Sequence, residues 1–156
     1  MRLILASVLF VFACAAGADP LPALADLGKP AEIHQRADGG TVQYFPQLPW
    51  GHVTYAARYD KDGRLLSYEQ VLTEQNIAKV VKDKTGMKEV RDLLGPPWQP
   101  VDQPLMKRTV WTYPMKIAGF PNQKWFVVQM SYDGVVRESY VMNDPQFDQS
   151  WGFRRR

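Results

Sequence analysis

Hydrophobic and polar residues alternate with a period of two over short runs that occur twice along the chain in the same order. Thr-Val-Gln-Tyr-Phe-Pro at 41–46 has a near twin in Thr-Val-Trp-Thr-Tyr-Pro at 109–114. Runs of this length, rich in β-branched and aromatic residues, predict strands. A second apolar run follows each, Val53 to Tyr59 and Trp125 to Tyr132, and each of these enters an Asp-Gly turn. Asp-Gly tolerates the positive φ angles that tight hairpins demand. A third β-rich run closes each copy, Leu65 to Val71 and Val135 to Met142. Ahead of each first strand stands Leu-Gly-x-Pro, at Leu27 to Pro30 and at Leu94 to Pro97. Glycine suits the left-handed residue after a helix, and a proline just beyond it stops the helix from continuing. The copies lie 67 positions apart at this motif, 68 at the strand and 71 at the turn glycines Gly63 and Gly134, a drift that small loop insertions explain. The pattern predicts an internal duplication in an α+β chain, each copy a helical lead-in followed by a three-stranded antiparallel meander.

The second copy, 72–145, has the fuller helical part. Glu74 to Lys82 places Ile77, Val80 and Val81 on one face, with Thr73 able to cap its start. Gly86 to Leu94 repeats the spacing with Met87, Val90, Leu93 and Leu94 among charged residues. The first copy, 20–71, has only Leu21 to Leu27 for this role, so part of its sheet is expected to be covered by the other copy. Ala56 and Ala57 on its middle strand fit such a close approach.

The first 18 residues read as an export signal. Met1 and Arg2 give a short positive region, and Leu3 to Phe12 is an apolar run too short to span a bilayer, which takes roughly 20 residues. Two cleavage sites compete. Cys14, the chain's only cysteine, directly follows the run, as a lipidated first residue of a bacterial lipoprotein does; Ala16-Gly17-Ala18 suits ordinary signal peptidase. On either cut no internal disulfide forms, so stability comes from packing. Lys and Arg number 19 against 16 Asp and Glu, a net +3 with both signs scattered, which does not make a nucleic-acid-binding face. Only the tail, 146–156, ends in a basic cluster, Arg154 to Arg156.

The second copy carries, in order, Gly86-Met87 opening a helix, Leu94-Gly95-Pro96-Pro97, Trp111-Thr112-Tyr113 on a strand, and Asp133-Gly134 in a hairpin. This ordered set resembles the BamE (SmpA/OmlA) family of small bacterial outer-membrane lipoproteins, well over 73–144 and weakly over 21–71. The resemblance implies two tandem units, each of short helices packed on a three-stranded antiparallel sheet, in the cell envelope at the periplasmic face of the outer membrane or in the periplasm. It also implies lipidation of Cys14 as the membrane anchor, and an envelope protein as partner, with a part in outer-membrane protein assembly. Tandem copies of this fold also look like secreted β-lactamase inhibitor proteins, which grip another protein on a concave sheet.

The residues announce no enzyme, cofactor or metal site. His34 and His52 stand far apart with no serine elbow or clustered cysteine, so both read as structural or solvated. Asp60 to Gly63, Asp-Lys-Asp-Gly, resembles the opening of a calcium loop, but Arg64 and Leu65 follow where oxygen ligands belong, so it reads as a hairpin turn. Binding is what remains. Of five tryptophans, Trp111 and Trp125 are assigned to the core; Trp50, Trp98 and Trp151 lie outside the predicted elements and are the candidate partner contacts, against the alternative that Trp50 and Trp98 plug their own sheets.

Overall fold

The computed structural model describes residues 21–117 and 123–145. Strands β1 (Glu32–Gln35), β2 (Thr41–Pro46), β3 (Thr54–Tyr59) and β4 (Leu65–Gln70) precede helices α1 (Glu74–Ile77) and α2 (Met87–Leu94). Strands β5 (Gln99–Gln103), β6 (Arg108–Met115), β7 (Lys124–Ser131) and β8 (Val136–Asn143) follow. They form two four-stranded antiparallel meanders, β1-β2-β3-β4 and β5-β6-β7-β8.

The repeat holds pair by pair. Val42 faces Arg58 and Pro46 faces Thr54 in the first sheet; their counterparts Val110 and Pro114 face Gln129 and Trp125 in the second. The register slips once in each unit, between Arg58 and Tyr59 and between Gln129 and Met130. Gly63 and Gly134, in the turns that follow, both have a φ of +80°.

The expected units of short helices on three-stranded sheets are corrected. The molecule is mostly β, each sheet has a fourth strand, and only two short helices form. The additional strands, β1 and β5, are edges, four and five residues long. A proline within such a run, Pro100, argues against a strand, yet it is tolerated at an edge, where its missing N–H faces outward. The helix expected over 74–82 stops at Ile77. Past it, the Val81 N–H donates to the Thr85 hydroxyl at 2.8 Å, a side-chain acceptor that competes with helix propagation. The first unit's lead-in is a 3-10 turn, Leu24–Leu27, with no buried residue. The corner glycines also differ from expectation. Gly28 (φ 73°, ψ −142°) and Gly95 (φ 78°, ψ −166°) combine positive φ with extended ψ, a region reached essentially by glycine alone.

Helix α2 sits between the sheets. Its Val90 and Leu94 join Trp111, Tyr113, Phe126 and Val128 in the main core. On its other side, the Tyr44 hydroxyl donates to the Asp92 carbonyl at 2.9 Å, from a face of the first sheet that buries Val42, Tyr44 and Ala56. From the second sheet, Tyr113 donates to the Gly95 carbonyl at 3.2 Å. A Cβ on Gly95 would lie 2.9 Å from Thr54 Cγ2 and 2.9 Å from Tyr44 Cδ1, so only glycine lets the corner approach the first sheet this closely.

Candidate binding site

The structure has two concave regions that bring sequence-predicted residues together. The first lies along the seam between β1, β2 and α2, a cleft of about 410 Å³ lined by His34, Arg36, Tyr44, Arg58, Lys88 and Asp92 among others. Its polar groups are engaged with one another. His34 Nδ1 lies 2.8 Å from Asp92 Oδ1, and Nε2 lies 2.9 Å from Glu32 Oε2; both contacts are hydrogen bonds only when each ring nitrogen carries a hydrogen. Lys88 pairs with Asp92, and Arg91 reaches Glu32 at 3.1 Å while its guanidinium lies 5.2 Å from the centre of the Trp111 ring. Arg36 pairs with Asp38 at 2.7 Å and Arg58 with Glu69. Burial works against the ionised Asp92 carboxyl, but hydrogen bonds and charge from Lys88 and His34 outweigh it and hold its pKa below the ordinary 3.8. Burial, and then the Asp92 charge, push the Tyr44 phenol up to about 12. This constellation fastens α2 to the first sheet.

The second region is aromatic. A cleft of about 130 Å³ is lined by Pro49, Trp50, His52, Trp98, Gln123, Trp125 and Asp144. Two of the predicted contact residues, Trp50 and Trp98, thus meet across some 48 positions of sequence. The loop that carries Trp50 is braced. Gln47 N–H donates to the Val53 carbonyl at 2.9 Å, closing the loop's base. His52, buried at 4% exposure and left-handed at φ 56°, lies with Nδ1 2.8 Å from the Trp50 carbonyl; a carbonyl only accepts, so Nδ1 carries the hydrogen. Trp50 itself is 82% exposed. Trp98 is held at its backbone, whose N–H donates to the Thr112 carbonyl at 3.0 Å, and its ring stands edge-on to Trp125, ring centres 5.6 Å apart. It therefore plugs its own sheet, and Trp50 does not.

Other sequence assignments sort out as follows. Trp111 is core at 3% exposure. Trp125 is only half-buried, because β7 alternation turns it away from α2 toward Trp98. His52 is structural, and His34 is a latch whose ring lies between Glu32 on β1 and Asp92 on α2. In the Asp60 turn, the Asp60 carboxylate accepts from the N–H groups of Asp62 and Arg64 at 2.9 and 2.8 Å, so it serves the hairpin. Among the described residues, no group of three or more His, Cys, Asp or Glu is placed to hold a metal ion. Cys14 and Trp151 lie outside the described residues. The latch itself escaped sequence reading because His34 and Asp92 are 58 positions apart and each looks like an ordinary surface residue in its own stretch.

No family model, curated protein or solved structure matches the chain.

Proposed function

We propose that this chain is a non-catalytic binding protein of the bacterial cell envelope, an accessory or scaffold for outer-membrane protein assembly or envelope integrity, with Trp50 as its anchor to an envelope protein partner. The export signal and the neighbouring Cys14 support the compartment, and the ordered motifs of 73–144 support the role. The observation that carries the binding reading is the Trp50 side chain, 82% exposed on a loop braced by His52 and closed at its base. A large rigid ring held in water at little entropy cost is what an interface uses as an anchor. His34 and His52, the only histidines, support a non-catalytic reading because both are committed to structural bonds. Acylation of Cys14 contributes about 0.8 kcal/mol per buried methylene, so several chains hold the protein at a membrane.

The test is capture of the tagged full chain from detergent-solubilised envelope, beside its Trp50→Ala variant. A partner recovered by the parent and reduced about tenfold or more by the variant supports the reading. Identical recovery from both chains contradicts it.

A further inference from the structure

Alternation along β5 to β8 puts Trp111, Tyr113, Phe126 and Val128 against α2, and puts Val101, Val110, Thr112, Val127, Tyr140 and Met142 on the opposite face. That opposite face is open along its edge strands, while Val127 at its centre is buried at 4% exposure. Val101 is 48% exposed, Tyr140 39% and Met142 38%. It runs into the aromatic cleft at its Trp125 end.

The internal repeat says what such a face is for. The residues of the first sheet that meet α2 occupy equivalent pairs: His34 with Val42 corresponds to Val101 with Val110, and Glu32 with Tyr44 corresponds to Gln99 with Thr112. Ala56 with Glu69 corresponds to Val127 with Tyr140. In the first sheet this face seats a helix through His34, Glu32 and Tyr44. In the second sheet the same positions are less polar, so the face left in water is more apolar than the face that is covered. Exposed apolar residues on one face mark an interaction site, and here Val101 supplies them on one edge strand and Tyr140 and Met142 on the other. Of the two central rows, Gln99-Thr112-Val127-Tyr140 holds no charged side chain, and Val101-Val110-Gln129 ends at Glu138 on the edge strand β8. Charge enters only at the margin, where Arg108 and Glu138 neutralise each other at 3.6 Å.

We infer that the open face of the second sheet seats an amphipathic helix from a partner protein, with an uncharged apolar stripe laid across Val101 and Tyr140 and one end reaching the Trp50 cleft. Four strands about 4.8 Å apart give a seat for one helix of about 10 Å diameter. Recognition is then helix-on-face, read as apolar anchors at spacings of three and four. The inference rests on the binding reading above and adds the class of partner.

The experiment places the photocrosslinker p-benzoylphenylalanine at Val101, Tyr140, Trp50 or, as control, at Lys61 in the exposed β3–β4 turn, one position per full-length chain, in cells that export it. Expected are adducts from Val101 and Tyr140 at about five times the Lys61 yield or more, mapping by mass spectrometry to one segment of one partner with apolar residues at i, i+3 or i+4, and i+7. Yields no higher than Lys61, or adducts to a second copy of this chain, to lipid or to a segment without that spacing, overturn the inference. If Trp50 crosslinks a protein while Val101 and Tyr140 do not, the inference falls and the binding reading stands; if none of the three does, both fall. A second variant guards against misfolding. Val101→Lys with Tyr140→Lys changes exposed positions only, and it is expected to keep the circular dichroism spectrum while lowering adduct yield from Trp50 about tenfold.

Discussion

The first and second sheets place sequence-equivalent residues in equivalent pairs, down to the slip beside Tyr59 and Met130, yet they turn opposite faces to α2. In the first, Val42 and Tyr44 point to the helix side; in the second, Trp111 and Tyr113 do, whose counterparts are Gln43 and Phe45. Register follows from local turn chemistry and backbone pairing, so a duplication preserves it. Which face is buried follows from what is available to cover it. The second unit brings α2 with Val90 and Leu94 fully buried, whereas the first brings a 3-10 turn with nothing buried. The first sheet therefore packs on the far side of its neighbour's helix, where Lys88, Arg91 and Asp92 lie. It carries Glu32, His34 and Tyr44 to meet them. One eight-residue helix serves two sheets, which an ordinary amphipathic helix with one wet face does not do.

The two Leu-Gly corners sharpen this contrast most. Both glycines occupy the same glycine-only backbone region, but a Cβ on Gly28 meets nothing within 4 Å while one on Gly95 collides with Thr54 and Tyr44. Gly28→Ala is expected to cost about 1–3 kcal/mol from backbone conformation alone. Gly95→Ala adds overpacking of about 1–3 kcal/mol and prises the first sheet from the helix. Urea unfolding of the two variants measures the gap, and equal losses would mean that Gly95 does not abut the first sheet. The leucines beside them come next. Leu94, with no exposed surface, is expected to lose about 2–5 kcal/mol on change to Ala, and its counterpart Leu27, on a turn with no buried residue, under about 1 kcal/mol.

The seam should also respond to pH. The folded-state pKa of Asp92 is lowered, so its contribution is present above 3.8, its ordinary value, and is lost as pH falls through the lower folded value. The Tyr44 pKa is raised from 10.0 to about 12, so its contribution is complete below 10.0 and is lost as pH rises through about 12. Thermal melts across pH should show both declines, the acid one flattened by Asp92→Asn and the alkaline one by Tyr44→Phe. An unchanged acid limb in Asp92→Asn would remove this carboxylate from the account. Smallest in stability is Trp50→Ala, expected within about 0.5 kcal/mol of the parent in urea because the ring stands in water. Its effect belongs to binding.

Much of the β framework was legible in the sequence. The six inner and closing strands, the Asp-Gly turns and the duplication come from period-two patterning and turn chemistry, which act locally. The helical expectation was too generous because the Thr85 hydroxyl, four residues away from Val81, takes an N–H that the periodicity of 74–82 assigns to the helix. Strands β1 and β5 were missed for a different reason. β1 turns polar residues, Glu32 and His34, to its half-buried face, so its alternation does not show as a hydrophobic pattern, and in β5 Pro100 speaks against a strand. Of the candidate site, Trp50 and Trp98 were identified from their places in loops. That one is exposed and the other packed on Trp125 depends on contacts far apart in sequence. The open apolar face of the second sheet was hidden for the same reason as the flipped burial: alternation shows that a strand has two faces, and only the packed molecule shows which one the helix takes.

The shared helix is tested most directly by nuclear Overhauser contacts from the Gly95 α-protons in the folded chain. Cross-peaks to the ring protons of Tyr44 in the first sheet, together with contacts linking this corner to Tyr113 in the second, are predicted. A Gly95 that sees Tyr113 but never Tyr44 would leave the first sheet without its helix and contradict the account.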